Sequence, residues 1–263
     1  MHCTLRALYF WLFLAGAWPS SLGHAANLHG VIRFEVQGQT LLLDSLRYQT
    51  EVGEVFSITR SSWLASGFAL RRSDGTWLEL PGHVAWLDAT RQRAEFFLPA
   101  IPSAKYTALR FHVGLDAATN AADPARYEPS HPLNPNVNGL HWSWQGGYIF
   151  LALEGSWRSK AGALGGFSYH FARDANRTAI VLPGEMDLSG DASAELVFDV
   201  AAVLRGARPL SFAKDGVSTH AHPGDPIAAA LGANLPGAFS LKSVTSHVPP
   251  IARPSTVKPI DLP

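Results

Sequence analysis

The stretch FSITRSSWLASGFALRRSDGTWLELPG, residues 56–82, contains runs in which apolar and polar residues alternate on either side of one tight turn. Alternation with a period of two is typical of β-strands that bury one face. The turn carries Asp74 and Gly75, an Asp-Gly pair that favours a hairpin. The stretch therefore predicts a β-hairpin, and its pattern recurs through the rest of the chain.

Similar short strands, separated by turn residues, are predicted before and after this hairpin. They lie within residues 31–48, 94–116, 136–155, 165–173, 177–183 and 194–204. Many short strands at this spacing are typical of a sandwich or barrel. We therefore expect an all-β fold, a β-sandwich of the Ig-like or Greek-key type, with one or two short helices.

One helix is predicted by its end signals. Asp225 can accept hydrogen bonds from the first free N–H groups, and Pro226 suits the first helical position. Apolar residues then follow at helical spacing until Pro236 and Gly237 end the pattern. A helix is therefore expected directly after the histidine-containing segment STHAHPGD, residues 218–225.

Three segments are predicted along the chain. Residues 1–25 have Arg6, a short apolar run and then small residues, which is the pattern of a secretory signal peptide. Residues 26–241 form the expected sandwich domain, and residues 242–263 are a Pro-rich tail expected to be disordered. The protein is therefore expected in the periplasm or outside the cell, without a membrane span, since no later run reaches ~18 apolar residues.

Composition narrows the possible functions. The chain has 47% hydrophobic residues and 16% charged residues, with 21 basic and 21 acidic side chains. Without a basic surplus, nucleic acid is an unfavourable partner. No Gly-x-Ser-x-Gly or phosphate-loop motif is present, which argues against a serine hydrolase and against a phosphate-loop enzyme. The only cysteine, Cys3, lies in the signal segment, so a metal site would depend on histidine, carboxylate, methionine or an unusual ligand.

Four histidines are candidates for such a site. His220 and His222 alternate along an extended segment and could face the same side. His141 and His170 lie among apolar and small residues, where a buried imidazole needs a partner. A metal ion is one such partner, although a surface position remains the simpler interpretation of any single histidine.

The segment NVNGLHWSWQGGYIFLALEG, residues 136–155, is dense in aromatic residues. If it is a strand throughout, Trp142 and Trp144 share one face, either as core residues or as an exposed platform for carbohydrate. The following run, Ile149 to Leu153, is apolar on both faces and favours a covered central strand.

The segments HPLNPNVNGLHWSWQGGYIFLALEG, FSYHFAR and STHAHPGDPIAAALGANLPGAFSL resemble the MbnP family of exported copper-binding proteins. The resemblance extends from about Gly30 to Leu241, and the Trp-x-Trp-Gln-x-Gly-Tyr-x-Phe block is its most specific part. It implies a β-sandwich that is not an enzyme and that binds copper, often as Cu(I), through two histidines. In some members a tryptophan is oxidised to kynurenine by a partner di-haem c-type cytochrome of the MauG and MbnH kind.

Carried onto this chain, the resemblance implies His170 and His220 as the leading copper ligands, with His141 and His222 as second choices. The tryptophan implied to be modified is Trp142, followed by Trp144 and Trp63. Some relatives carry four cysteines. This chain has a single cysteine, Cys3 in the signal segment, and therefore lacks that pattern.

Two other functions fit parts of the sequence. A copper monooxygenase with a histidine brace would need cleavage after Gly23, which leaves His24 at the N-terminus. A carbohydrate-binding module would need Trp142, Trp144 and Tyr148 to be exposed and coplanar.

Overall fold

A computed structural model describes residues 25–247 of the chain. The predicted signal peptide, apart from Ala25, and the end of the predicted tail, residues 248–263, lie outside the described residues. Between Ala25 and His247, no helix is long and apolar enough to cross a membrane.

The described chain is built mainly from strands. The strands are Ala25–Val36 (β1), Gln39–Thr40 (β2), Tyr48–Gln49 (β3), Val55–Phe56 (β4), Arg60–Arg72 (β5), Trp77–Asp88 (β6), Glu95–Pro102 (β7), Lys105–Val113 (β8), Ile149–Arg158 (β9), Leu164–Ala172 (β10), Thr178–Asp187 (β11), Asp191–Asp199 (β12), Ser218–Thr219 (β13) and Phe239–His247 (β14). The α-helices are Ala117–Asn120 (α1), Pro135–Asn138 (α2), Ala202–Arg205 (α3), Phe212–Asp215 (α4) and Pro226–Asn234 (α5). Short 3-10 helices lie at Pro124–Arg126, Asp174–Asn176 and Leu235–Ala238.

The strands form two sheets. The smaller, five-stranded sheet has the order β14-β12-β1-β2, with β7 also paired to β1. The larger, nine-stranded sheet has the order β11-β8-β5-β9-β10-β13, with β6 on β5 and the β3-β4 pair on β9. Most pairs are antiparallel, whereas β1 runs parallel to β12 and β13 runs parallel to β10. The predicted all-β sandwich is confirmed.

The core lies between the two sheets and is aromatic. Trp63 on β5 is 1% exposed, and its ring contacts Phe198 and Phe239 of the small sheet at centroid distances of 5.6 and 5.1 Å. Phe198 and Phe239 stack on each other at 4.5 Å. Because Trp63 points at the small sheet, we call its side of the large sheet the inner face, and the opposite side the outer face.

The predicted hairpin is confirmed as β5 and β6. Gly75 takes a positive φ of 86° in the turn, a conformation that glycine adopts without steric cost. Asp74 closes the same turn by accepting the Thr76 N–H at 2.8 Å. This hairpin therefore forms because its turn residues suit the geometry that its alternating strands require.

The run Ile149 to Leu153 is a covered central strand, as predicted, because β9 lies between β5 and β10. Its outer side is near the connection of residues 114–148, whose Leu133, Asn138 and Leu140 are buried. Asn138 satisfies its own side chain within this connection by bonding Pro132 O and the Leu140 N–H. The connection is thus an ordered cover that contributes buried residues of its own.

Helix α5 begins where the sequence predicted. Asp225 is its N-cap and accepts hydrogen bonds from the Ile227 and Ala228 N–H groups at 2.8 and 3.2 Å. The predicted boundary at residue 241, in contrast, falls within a strand, because β14 continues to His247 along β12. Residues 242–247 therefore belong to the small sheet. Their backbone pairs with β12, and such pairing cannot be predicted from the composition of the segment.

Candidate metal centre

His170 lies on the outer face of the large sheet. Its cross-strand neighbour is Ala152 on β9, which in turn pairs with Ser62 on β5. Since Ser62 precedes the inward-pointing Trp63, these three residues share the outer face. The His170 side chain is 17% exposed.

A carboxylate holds one nitrogen of this imidazole. Nε2 of His170 lies 2.8 Å from Oε1 of Glu154 and 3.1 Å from Oγ of Ser168. The other nitrogen, Nδ1, is buried and has no hydrogen-bond partner among the described residues. A buried polar atom without a partner is uncommon and calls for an explanation.

Arg60 and His170 together favour the ionised form of Glu154. Nη1 of Arg60 donates to Oε1 of Glu154 at 3.0 Å, while its Nη2 donates to the Gly139 carbonyl at 3.1 Å. The hydrogen bond from His170 is the main cause that lowers the pKa of Glu154, and the charge of Arg60 adds to it against the opposing effect of burial. An ionised carboxylate only accepts, so Nε2 of a neutral His170 carries the proton and Nδ1 keeps its lone pair.

His220 reaches the same place from another strand. It directly follows β13, whose Ser218 and Thr219 pair in parallel with Ser168 and Tyr169 of β10. The half-buried ring of His220 lies 5.8 Å from that of His170, at an interplanar angle of 90°. Because a metal–imidazole bond is about 2 Å long, two rings at this separation could share one ion.

Trp142 packs against both histidines, and we call the space between His170, His220 and Trp142 the two-histidine pocket. Trp142 is 8% exposed, and its ring centroid lies 6.2 Å from His170 and 5.7 Å from His220. Trp144 is 68% exposed and lies 5.7 Å from Trp142 and 6.3 Å from His220. Trp142 therefore contacts both histidines from inside the protein, and Trp144 contacts His220 from the surface.

The strand expected around these tryptophans is wrong. Residues 142–147 form a turn closed by a hydrogen bond from the Gly146 N–H to the Trp142 carbonyl at 2.8 Å. Gly146 and Gly147 both take positive φ, 74° and 84°, which turns the chain back on itself. The two indoles consequently do not share a strand face.

This turn also excludes the carbohydrate platform. It requires Trp142, Trp144 and Tyr148 to be exposed and coplanar, whereas Trp142 is 8% and Tyr148 only 1% exposed. The two indole planes are tilted by 42°. Only Trp144 is free to contact a sugar, and one isolated ring is not a platform.

The two second-choice histidines have different positions. His222 is exposed, lies 6.4 Å from His220 and accepts a hydrogen bond on Nδ1 from Nη2 of Arg173 at 3.3 Å. His141 packs edge-on against Tyr148 at 4.8 Å, and burial lowers its pKa. The structure thus brings His222 next to the leading pair and gives His141 a tyrosine as its ring partner.

A metal at this place would depend on few protein ligands. Within residues 25–247, no group of three or more histidine, cysteine, aspartate or glutamate side chains is arranged to hold a metal ion. The pocket offers two imidazoles, one with its second nitrogen already held by Glu154. Imidazole suits copper, and a carboxylate on the far nitrogen is the usual way in which a ligating histidine is oriented.

The sequence did not reveal the supporting residues Arg60, Glu154 and Ser168. Glu154 stands in the Leu-Glu-Gly that follows the aromatic block, but nothing in the sequence places it across from residue 168. Strand alternation is the signal that could have found Glu154 and Ser168. It puts both on the same face as His170 once the β9-β10 register is known.

Fold and site together define a class of protein. It is a β-sandwich that carries two histidines beside a tryptophan on the outer face of its large sheet. The MbnP family model matches residues 29–221. The chain belongs to the MbnP family.

Among solved structures, the chain is similar to MbnP from Methylosinus trichosporium. The two share 16% sequence identity with a TM-score of 0.57, and the match covers 86% of this chain and 100% of the other. At this identity the likeness shows a common fold. No curated protein matches the chain.

Proposed function

We propose that this protein binds a single copper ion, as Cu(I), between His170 and His220. The observation that carries the proposal is the buried Nδ1 of His170, which has no hydrogen-bond partner within residues 25–247 while Nε2 is held by Glu154. A lone pair fixed in position, buried and facing no donor is an unmet requirement that a metal ion satisfies.

The chemistry of the pocket favours the monovalent ion. Two neutral imidazoles add no charge, and the carboxylate of Glu154, which holds His170, is already paired with Arg60. Cu(I) accepts a low coordination number, and imidazole is a suitable ligand for copper. We therefore propose a copper-binding protein that holds an exchangeable ion and does not act as an enzyme.

We further propose that Trp142 is oxidised to kynurenine by a partner di-haem c-type cytochrome. Its contact with both histidines supports Trp142 over Trp144, which is exposed, and over Trp63, which lies among phenylalanines in the core. Two molecules of hydrogen peroxide, used by the cytochrome, would each supply one oxygen atom across the broken C2–C3 bond of the indole and leave as water. Hydrolysis of the resulting N-formyl group would then release formate. The product has a ketone and an amine, which could approach a bound ion.

Export is part of the same proposal. The signal-like pattern of residues 1–25 supports a periplasmic or secreted protein, and the proposed site contains no thiol that an oxidising compartment would convert to a disulfide. The histidine brace is an alternative that depends on His24, which lies outside the described residues. Identification of the first residue of the exported protein separates the two, since a brace requires His24 there.

The direct test is anaerobic titration with Cu(I) in the presence of a competing chelator. The wild type is expected to bind one ion tightly, and the double variant His170→Ala, His220→Ala is expected to lose that binding. His247→Ala is a matched control, because His247 is exposed on β14 and bonds Ser193 instead. Undiminished binding in the double variant would overturn the assignment.

Intact-mass measurement tests the modification. Conversion to kynurenine replaces one carbon atom by one oxygen atom in the composition of the residue, so the mass of the chain rises. The rise is expected when the protein is produced together with its cytochrome and is expected to disappear in Trp142→Phe. Persistence of the rise in Trp142→Phe would move the modification to another tryptophan.

A further inference from the structure

A third imidazole stands on the solvent side of the histidine pair. His222 is exposed, and its ring lies 6.4 Å from that of His220, which lies 5.8 Å from that of His170. His222 is exposed, whereas His220 and His170 are both half-buried. The three rings therefore form a path from the surface to the proposed copper position.

The backbone between the two outer histidines is specifically shaped. Ala221 is buried and takes a φ of 54°, which is uncommon for a residue with a Cβ. It is held there by the hydrogen bond from its N–H to Oγ1 of Thr219 at 2.8 Å. On the other side, the His222 carbonyl accepts the Asp225 N–H at 3.0 Å. Local strain that the surroundings maintain in this way is typical of functional segments.

Arg173 marks the nitrogen of His222 that is able to bind a cation. Its Nη2 donates to Nδ1 of His222 at 3.3 Å, so Nδ1 carries the lone pair of the neutral ring. Arg173 itself has a φ of 77°, and its buried Nε has no hydrogen-bond partner among the described residues. A permanently charged guanidinium thus occupies the lone pair of the exposed imidazole, His222.

We propose that His222 is the entry ligand of this protein for Cu(I), an inference that rests on the copper site of the proposed function. The ion displaces Arg173, binds between His222 and His220 at the surface, and then moves to the position between His220 and His170. His220 belongs to both pairs, so it keeps hold of the ion during the transfer. The ion remains Cu(I) throughout, and no electron is exchanged.

This role predicts an effect on rate without an effect on the end state. A ligand used only during entry lowers the barrier to loading, whereas the equilibrium affinity is set by His170 and His220. The experiment measures, by anaerobic stopped flow, the transfer of Cu(I) from its coloured bicinchoninate complex to the protein. His222→Ala is expected to slow loading by about tenfold while its equilibrium dissociation constant stays at the wild-type value.

The controls separate this inference from the copper site itself. His247→Ala removes an exposed histidine elsewhere and is expected to load at the wild-type rate. If the wild type takes up no copper, the proposed function fails. If the wild type loads and His222→Ala loads equally fast, the entry role alone fails. A matching loss of affinity in His222→Ala would make it a permanent ligand and would also overturn the entry role.

Arg173→Gln provides a second variant that leaves all three imidazoles in place. Without the guanidinium, the ion no longer competes with a charged donor for Nδ1 of His222, so loading is expected to be faster than in the wild type. Loading at the wild-type rate or slower in Arg173→Gln would contradict the displacement step. Circular dichroism of each variant shows that the fold is retained.

Discussion

On the inner face of the large sheet, Trp63 packs among phenylalanines, whereas on the outer face Trp142 packs against two imidazoles and a second indole. The inner tryptophan is enclosed by two sheets, and the outer one lies at the end of a connection. The same residue type therefore stabilises the fold on one face and lines a polar pocket on the other. The difference arises from the neighbours of each ring, which are phenylalanines for Trp63 and imidazoles for Trp142.

Each face also has a buried nitrogen without a hydrogen-bond partner among the described residues, Nε1 of Trp63 and Nδ1 of His170. An indole nitrogen is only a donor, so Trp63 has no lone pair to offer a metal ion. The imidazole nitrogen, with Nε2 held by Glu154, does. An unmet hydrogen bond therefore points to a ligand only where the free atom has the right chemistry.

The largest expected difference between the faces is in stability. Trp63→Ala should lower the free energy of unfolding by about 3–5 kcal/mol, because it empties the center of an aromatic core. Trp142→Ala should cost less, since the ring borders a pocket and the solvent-exposed Trp144. Urea unfolding of both variants measures this, and Trp63→Phe, which keeps most of the ring contacts, is the control. The reverse ranking would contradict the division between the faces.

Affinity for copper, in contrast to stability, should depend on the outer face of the large sheet. Glu154→Ala is expected to weaken Cu(I) binding by about 10–100-fold, because the ring of His170 loses the group that orients it. Glu154→Gln keeps an acceptor oxygen and is expected to lose less. Glu195→Ala, which removes a carboxylate paired with Arg33 on the small sheet, is the matched control. Competition titration decides, and equal affinities in all three variants would remove Glu154 from the site.

Asp225 links helix α5 to the histidine segment and should have an intermediate effect. Besides capping α5, it accepts a hydrogen bond from Oγ1 of Thr219, the residue before His220. Asp225→Ala is expected to cost about 1 kcal/mol of stability and also to weaken copper binding. Asp123→Ala removes a cap from the 3-10 helix Pro124–Arg126 and should leave the affinity unchanged. Thermal unfolding and titration of both variants compare them.

The smallest effect should be a dependence of stability on pH. Burial lowers the pKa of His141 from its ordinary 6.5, so the folded state binds fewer protons than the unfolded state near that pH. The contribution of His141 to stability is therefore fully present above pH 6.5 and is lost as the pH falls below 6.5 toward the lower pKa of the folded state. His141→Gln should reduce this decrease, while Trp63→Phe, which removes no titratable group, should retain it. Melting temperatures across this range test the sign.

Several elements of the fold could be predicted because their signals are local. The β5-β6 hairpin has its Asp-Gly turn, and helix α5 has its Asp225 cap and Pro226 start. The turn at Trp142 was mispredicted as a strand because alternation and a turn compete over a few residues. There the positive φ of Gly146 and Gly147 prevailed over the aromatic alternation.

By itself, the sequence determined the class of fold, the family resemblance and the histidines and tryptophans worth considering. These follow from periodicity and motif, which are properties of neighbouring residues. Only the tertiary structure decided that Glu154 and Arg60 support His170, that Trp142 is inside while Trp144 is outside, and that His222 follows His220 toward solvent. The physical reason is register: which residues face each other across strands depends on pairing between segments distant in the chain.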